Sequence, residues 1–297
     1  MGNQFEISVV AIDETWAYQC IDKGVNEIKR IEQLLTTYHA SSETNFINSN
    51  AGITPVKVSL ETLNLIERSL RVSHATQGAF DITYGSVDKR LWNFDSTMKT
   101  LPSKEKAKEA AKLINYKNVI IDRENSTIYL REKGMRIGFG GIGKGYAAEM
   151  AKQVMKVEGA ASGIVNASGD LATWGLQPDG SKWTIGIAHP DAKGAIFSYL
   201  AISDMAIATS GNYEKFVVID GKKYSHTINP RTGLPVTGIK SVTIISTNAE
   251  IADAMATPVM IMGIQAGLYM INQIKDVEAI IIDDDNKLYT SNTIKLS

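Results

Sequence analysis

Helical periodicity in this chain comes in uneven blocks, not in regular alternation with strand-like runs, and that favours an α+β fold over a doubly wound parallel sheet. Ile21, Val25, Ile28, Ile31 and Leu35 recur at spacings of three and four, which places them on one face of a long amphipathic helix. A loop rich in Ser, Asn and Thr is expected over 39–50, then a second helix with Leu60, Leu63, Ile66 and Leu70 on one face. The stretch 77–85 holds few helix formers, and a third helix is expected over 104–113, with Pro102 as its start signal.

The rest of the chain is mostly strand-like. A run at 5–12 opens it, and short β-type runs are expected at 118–122, 127–130 and 136–139. A glycine cluster then leads into a helix from about 145 to 157, and further runs follow at 163–166, 183–188, 196–202, 216–219 and 242–246. A helix over 250–262 interrupts the series, and runs at 278–282 and 287–289 form a hairpin around 283–286. No composition shift or repeat divides the chain, so one domain over 1–297 with mixed or antiparallel sheets and flanking helices is expected.

Composition narrows the partners. Thirty-one basic against 32 acidic residues leave a net charge of −1, which argues against nucleic acid or an anionic membrane as a bulk ligand. At 44% hydrophobic and 21% charged, the chain has the apolar surface to form a sizeable core. The lone cysteine, Cys20, has no internal partner and reads as a small core residue. No apolar run approaches the ~18 residues of a membrane span. The abrupt strand-like start suits a mature or trimmed chain.

Gly138 to Gly145 satisfies two glycine-rich patterns at once and lacks a required partner of each. A dinucleotide fingerprint needs an acidic residue at the end of the second strand, where Asn166 stands. A Walker A loop needs Ser or Thr after the lysine, where Gly145 stands. Two readings remain: backbone amides and Lys144 receiving a phosphate at a helix start, or glycines serving tight strand-to-helix packing.

Asp253 and Thr257, four apart on a helix, share a face with small neighbours, while Ile251, Met255, Val259 and Met262 lie on a core-seeking face. One small oxygen-seeking cation such as magnesium could join the pair. Alternatively Thr257 simply bonds a carbonyl one turn back. Pro258 has no N–H for the carbonyl of Ala254, so a kink is expected there. His226, before the turn Asn229-Pro230-Arg231-Thr232-Gly233, is placed either to move a proton near neutral pH or to bond that turn. Asn166 to Asp170 reads as a close backbone approach to a ligand or as an ordinary turn, and Tyr38 and Phe80 as ring-stacking or core residues. His39, His74 and His189 have no metal-ligand spacing.

Taken together these segments resemble the FAD:protein FMN transferase, or ApbE-like, family. The opening Met1-Gly2-Asn3 is similar to its Met-Gly-Thr, Gly78 to Asp81 matches its Gly-Ala-Phe-Asp, and Gly140 to Gly145 matches its Gly-Gly-Ile-Ala-Lys-Gly. Asn166 to Asp170, Ala208 to Gly211, Ser225 to Gly233 and Ala252 to Thr257 match further motifs in the family's order over nearly the whole chain. The resemblance implies a T-fold-type core and a magnesium-dependent enzyme that cleaves FAD, esterifies FMN to a threonine of an acceptor protein and releases AMP. The acceptor implied is a subunit of a respiratory or redox complex. Asp253, Thr257 and the carbonyl of Gly141 would hold the metal. Met1, Tyr38, Ala79, Phe80, Asp81, Lys144 and Thr227 would line the FAD site, and His226 with Asp253 would carry catalysis. Residues 138, 143 and 229 depart from the pattern, and Gly138 replaces an acidic residue expected to contact adenosine or ribose. A periplasmic, lipid-anchored enzyme is implied, with the cytoplasm as the alternative. Two other activities fit the same motifs: hydrolysis of FAD to FMN and AMP, and non-catalytic flavin carriage.

Overall fold

The computed structural model describes residues 4–87, 91–92, 98–188, 195–212 and 216–294. Its chain packs as two compact units, the first from 1–32, 142–211 and 239–297 and the second from 33–141 and 212–238.

The first unit is built on a seven-stranded sheet in the order Phe5–Val9, Gly163–Ala167, Asp170–Trp174, Ala206–Gly211, Ile239–Ser246, Val277–Asp283 and Leu288–Thr290. Every neighbouring pair in it is antiparallel. The second and third strands are joined by a two-residue turn, with Ala167 opposite Asp170 and both Ser168 and Gly169 at positive φ (53° and 100°). That backbone twist matches the twist of the flanking strands. Because side chains alternate along a strand, Asp170 and Ala172 point to one face and Leu171 and Thr173 to the other. Leu171, Ile207, Ile245 and Ile280 bury one face against Ile187 and Ile202 of the hairpin Trp183–Ala188/Ile196–Ile202.

Helices Gly143–Val157 and Ala249–Met262 pack on each other and on the sheet. The second starts at Asn248, whose side chain accepts from the amide of Ile251, and ends at Gly263, which takes the positive φ (84°) that a side chain would resist. The helix runs without interruption through Pro258. It is buried almost all round, with Ala252, Ala254, Met255, Ala256 and Val259 inside. Ile251, expected on the core-seeking face, is instead exposed, because the sheet and the neighbouring helix occupy other sides of the turn. Helix Glu14–Leu35 brings Cys20 into this core, where burial raises its thiol pKa. The last residues of that helix belong to the second unit.

The second unit holds the sheet Val56–Lys57, Thr127–Leu130, Val119–Asp122, the hairpin Phe216–Ile219/Lys222–Ser225, and helices Glu43–Ser49, Leu60–Ala75 and Lys104–Ala110. Each of these helices is started by a serine, Ser42, Ser59 or Ser103, that accepts a hydrogen bond from an amide in the first turn. Ser42 explains one correction: 43–49 is a helix and not part of a loop, since Thr44, Ile47 and Asn48 are buried once it is capped. A second correction concerns 136–139, which is not a strand. The backbone there is held by other groups, with Asn48 exchanging two hydrogen bonds with Ile137 (2.7 and 3.0 Å) and Gly138 donating to Ile82. Val87, Trp92, Ala107, Ala111, Val217 and Ile228 belong to one apolar cluster in this unit.

Candidate active site

The helix Gly143–Val157 begins at Ile142 without any side-chain cap, so its first amides look for other acceptors. One is supplied by Asp253, whose Oδ2 accepts from the amide of Gly145 at 2.9 Å. This requires the two helices to come very close. A Cβ on Gly145 would lie 2.1 Å from the carbonyl oxygen of Ala249 and 2.7 Å from Cβ of Asp253, so only glycine fits. The glycine cluster therefore divides. Gly145 serves helix packing, while a Cβ on Gly140 would meet no atom within 4 Å among the described residues.

Lys144, one residue earlier, turns its ammonium onto Oδ2 of Asp170, which starts the strand after the tight turn. Asp170 is 2% exposed and Asp253 is 6% exposed, so two carboxylates are buried here against one lysine. Burial raises the pKa of Asp170, opposed by Lys144 and by the amide of Thr209. Burial, and then the neighbouring charge of Asp170, push Asp253 up to about 7, against the pull of Lys144 and of the amides of Gly145 and Lys144. A carboxyl held that high has an incomplete set of stabilising partners and gains from a cation.

One helical turn beyond Asp253, the hydroxyl of Thr257 pairs with that of Ser210 at 3.1 Å, reaching from the helix to the strand Ala206–Gly211. Thr257 is thus anchored across elements and does not merely bond its own helix. Thr209 points to the opposite face and pairs with Thr243 at 2.9 Å on the adjacent strand. Among the described residues no group of three or more His, Cys, Asp or Glu side chains has metal-binding geometry. The available donors are a carboxylate, hydroxyls and backbone carbonyls. Such an oxygen-only set suits a hard divalent cation that retains several waters, and does not suit zinc.

The other sequence-singled residues lie in the second unit, which ends its first segment at Gly141. Asp81 starts the short 3-10 turn Ile82–Ser86. Its Oδ1 accepts from the amide and hydroxyl of Thr83 (2.8 and 2.6 Å) and its Oδ2 from the amide of Tyr116 (2.9 Å). Burial raises its pKa while these bonds pull it back. Ala79 and Phe80 are buried, and Tyr38 is 88% exposed.

His226 directly follows the strand Lys222–Ser225 and is half-buried. Tyr84, in the turn after Asp81, directs its hydroxyl to the carbonyl of His226 at 3.4 Å. Although 36% of Tyr84 is exposed, its hydroxyl end is enclosed near the backbone of Ile228, and burial pushes its pKa up to about 12. Thr227 donates its amide to Ser225 and accepts from Val236, and Asn229 closes the following turn through the amides of Arg231 and Gly233. Gly233 (φ 68°) passes so close to Ala107 that a Cβ would lie 2.0 Å from its carbonyl. The 78–86 and 225–233 motifs are thereby brought together within one unit. Met1 and His189 lie outside the described residues.

Asp170 and Glu149, both buried, and the half-buried Ser210 are polar groups at the site that sequence reading left without a role. Asp170 and Ser210 stood inside quoted motifs, and their shared signal was a polar side chain beside small residues at a strand end.

Fold and site together define a class: an α+β protein whose antiparallel sheet backs a helix pair, with a buried, net-acidic, oxygen-only cluster beside a glycine-flanked helix start. Comparison with known proteins gives the family. The ApbE family model matches residues 1–281, and the chain belongs to that family. It is 29% identical over 298 residues to an FAD:protein FMN transferase of Klebsiella pneumoniae, covering 100% of this chain and 91% of that one. It is 31% identical over 272 residues to one of Salmonella typhimurium, covering 89% and 77%. A crystal structure of the ApbE protein of Thermotoga maritima superposes with a TM-score of 0.88 at 30% identity, over 98% of this chain and 94% of that one. The flavin transferase ApbE of Vibrio cholerae gives 0.83 at 26% identity, over 99% and 95%. The expected α+β architecture is the one observed.

Proposed function

We infer that this chain is a magnesium-dependent FAD:protein FMN transferase, with the buried carboxylates of Asp170 and Asp253 beside the partly exposed Lys144 as the observation that carries the reading. Asp253 and Thr257, with the carbonyl of Gly141, would hold the magnesium. When bound, the ion supplies positive charge to the FAD pyrophosphate. Lys144 sits at the second position of a helix whose start lacks a side-chain cap, so its ammonium and the positive end of the helix dipole favour the same anion. Asp170 holds that ammonium in place until the phosphates arrive. His226 takes the proton from the acceptor threonine as its oxygen attacks the FMN phosphorus, and the bond to the AMP phosphate breaks.

FAD, magnesium and a threonine-containing acceptor peptide, incubated with the protein and followed by mass spectrometry, test this directly. A covalent FMN adduct on the peptide is the expected result. Free FMN and AMP with an unmodified peptide would make the protein a hydrolase, and intact FAD despite tight binding would make it a carrier. The acceptor proposed is a respiratory or redox-complex subunit on the periplasmic side, and flavin fluorescence of separated membrane subunits in cells with and without the enzyme checks that choice. No helix among the described residues is long and apolar enough to cross a membrane.

A further inference from the structure

Glu149 and Lys152 form a buried ion pair at 2.7 Å in the middle of the helix Gly143–Val157, with side chains only 4% and 6% exposed. Burying such a pair is expensive unless every remaining lone pair is used. Glu149 uses both oxygens. Oε1 also accepts from Nε2 of Gln153 at 2.9 Å, and Oε2 accepts from the amide of Ala249 at 3.0 Å. Ala249 is the first residue of the helix that carries Asp253, and its amide is one of the donors that a helix cannot satisfy internally.

A reciprocal pair of contacts results. Gly145 gives its amide to the side chain of Asp253, and four residues on, Glu149 receives the amide of Ala249, four residues before Asp253. Both contacts flank the place where Gly145 meets the carbonyl of Ala249. We propose that Glu149 is a positioning residue that fixes the start of the 249–262 helix against Gly145 and so fixes the carboxylate of Asp253. Lys152 keeps Glu149 in the rotamer that reaches Ala249. The positioning rests on hydrogen-bond geometry alone, and its consequence for magnesium rests on the functional reading above.

The test compares Glu149→Ala, Glu149→Gln and Met155→Ala, the last removing core packing further along the same helix. Amide exchange at Gly145, followed by NMR without metal, reports whether Asp253 still accepts that proton. Calorimetric titration with magnesium alone reports the site. Glu149→Ala is expected to lose about tenfold or more of the Gly145 protection. Its magnesium affinity should fall about ten- to a hundredfold. Glu149→Gln retains an oxygen for Ala249 and should stay within about threefold of the parent on both measures. Met155→Ala should lower Tm and leave both measures near the parent. Unchanged protection in Glu149→Ala, an equal loss in Met155→Ala, or no rescue by Glu149→Gln would each overturn the proposal. If the parent protein binds no magnesium while Glu149→Ala alone frees the Gly145 amide, the positioning stands and the metal reading falls.

Discussion

The two units hold their polar residues by different means. In the first, Lys144 is tied to Asp170 and Ser210 to Thr257 by side-chain bonds that span 26 and 47 residues, and Asp253 takes the amide of Gly145 from the neighbouring helix. In the second, Asp81 accepts mainly from the amides of Thr83 and Tyr116, Asn229 from the amide of Arg231, and His226 follows a strand, with the Tyr84 hydroxyl on its carbonyl. A cluster tied by side chains creates a charge environment. A segment tied by backbone presents a side chain at a defined point. The first arrangement suits a cation and a pyrophosphate, and the second suits a base that must meet a changing partner.

The largest test of this contrast is Asp253→Ala. It removes the carboxylate around which the cluster is organised and should abolish magnesium binding and bring FMN transfer to the detection limit, measured as peptide mass gain. His226→Ala should lower transfer by about 10²–10⁴-fold, the usual contribution of a general base, while FAD affinity measured by flavin fluorescence quenching stays within about threefold. A His226→Ala variant that lost FAD binding as well would make His226 a flavin-binding or structural residue and not a dedicated base.

Gly145→Ala forces a Cβ onto the Ala249 carbonyl and should destabilise the protein by about 3 kcal/mol or more in denaturant unfolding. The same change at Gly140, where a Cβ meets no described atom within 4 Å, should shift stability by less than about 1 kcal/mol.

A pH dependence is expected as well. The pKa of Asp253 is raised by folding to about 7 from 3.8, so its contribution to stability is complete below about pH 4 and is lost as pH rises through about 7. Without metal, Tm should therefore decline from about pH 5 to about pH 8. Magnesium should raise Tm more at the upper end, and Asp253→Asn should flatten the decline. A parent Tm that rises over that interval without metal would show that the cluster is not a store of unfavourable charge.

Much of the architecture was legible in the sequence. The strands Thr127–Leu130, Trp183–Ala188, Ile196–Ile202 and Phe216–Ile219 have the expected limits because β-branched and aromatic residues fill them between turn residues. Helix Glu43–Ser49 was hidden because its cap and polar residues look like a loop until burial of Ile47 is known. Asp170–Trp174 was hidden because the turn before it is only two residues long and the strand is buried on both faces, without alternation. At the site, Asp253 and Thr257 were readable from helical spacing. The partnership of Lys144 with Asp170, and of Glu149 with Ala249, depends on how the sheet and the helix pair stack, which no local spacing encodes.

The edge strand Phe5–Val9 finds its hydrogen-bonding mate in Gly163–Ala167, more than half the chain later. As the chain emerges this strand must therefore wait, its backbone edge unclaimed, until that mate is available. A delay of this kind slows folding, as non-local pairings do, and makes the waiting segment a natural client for chaperones.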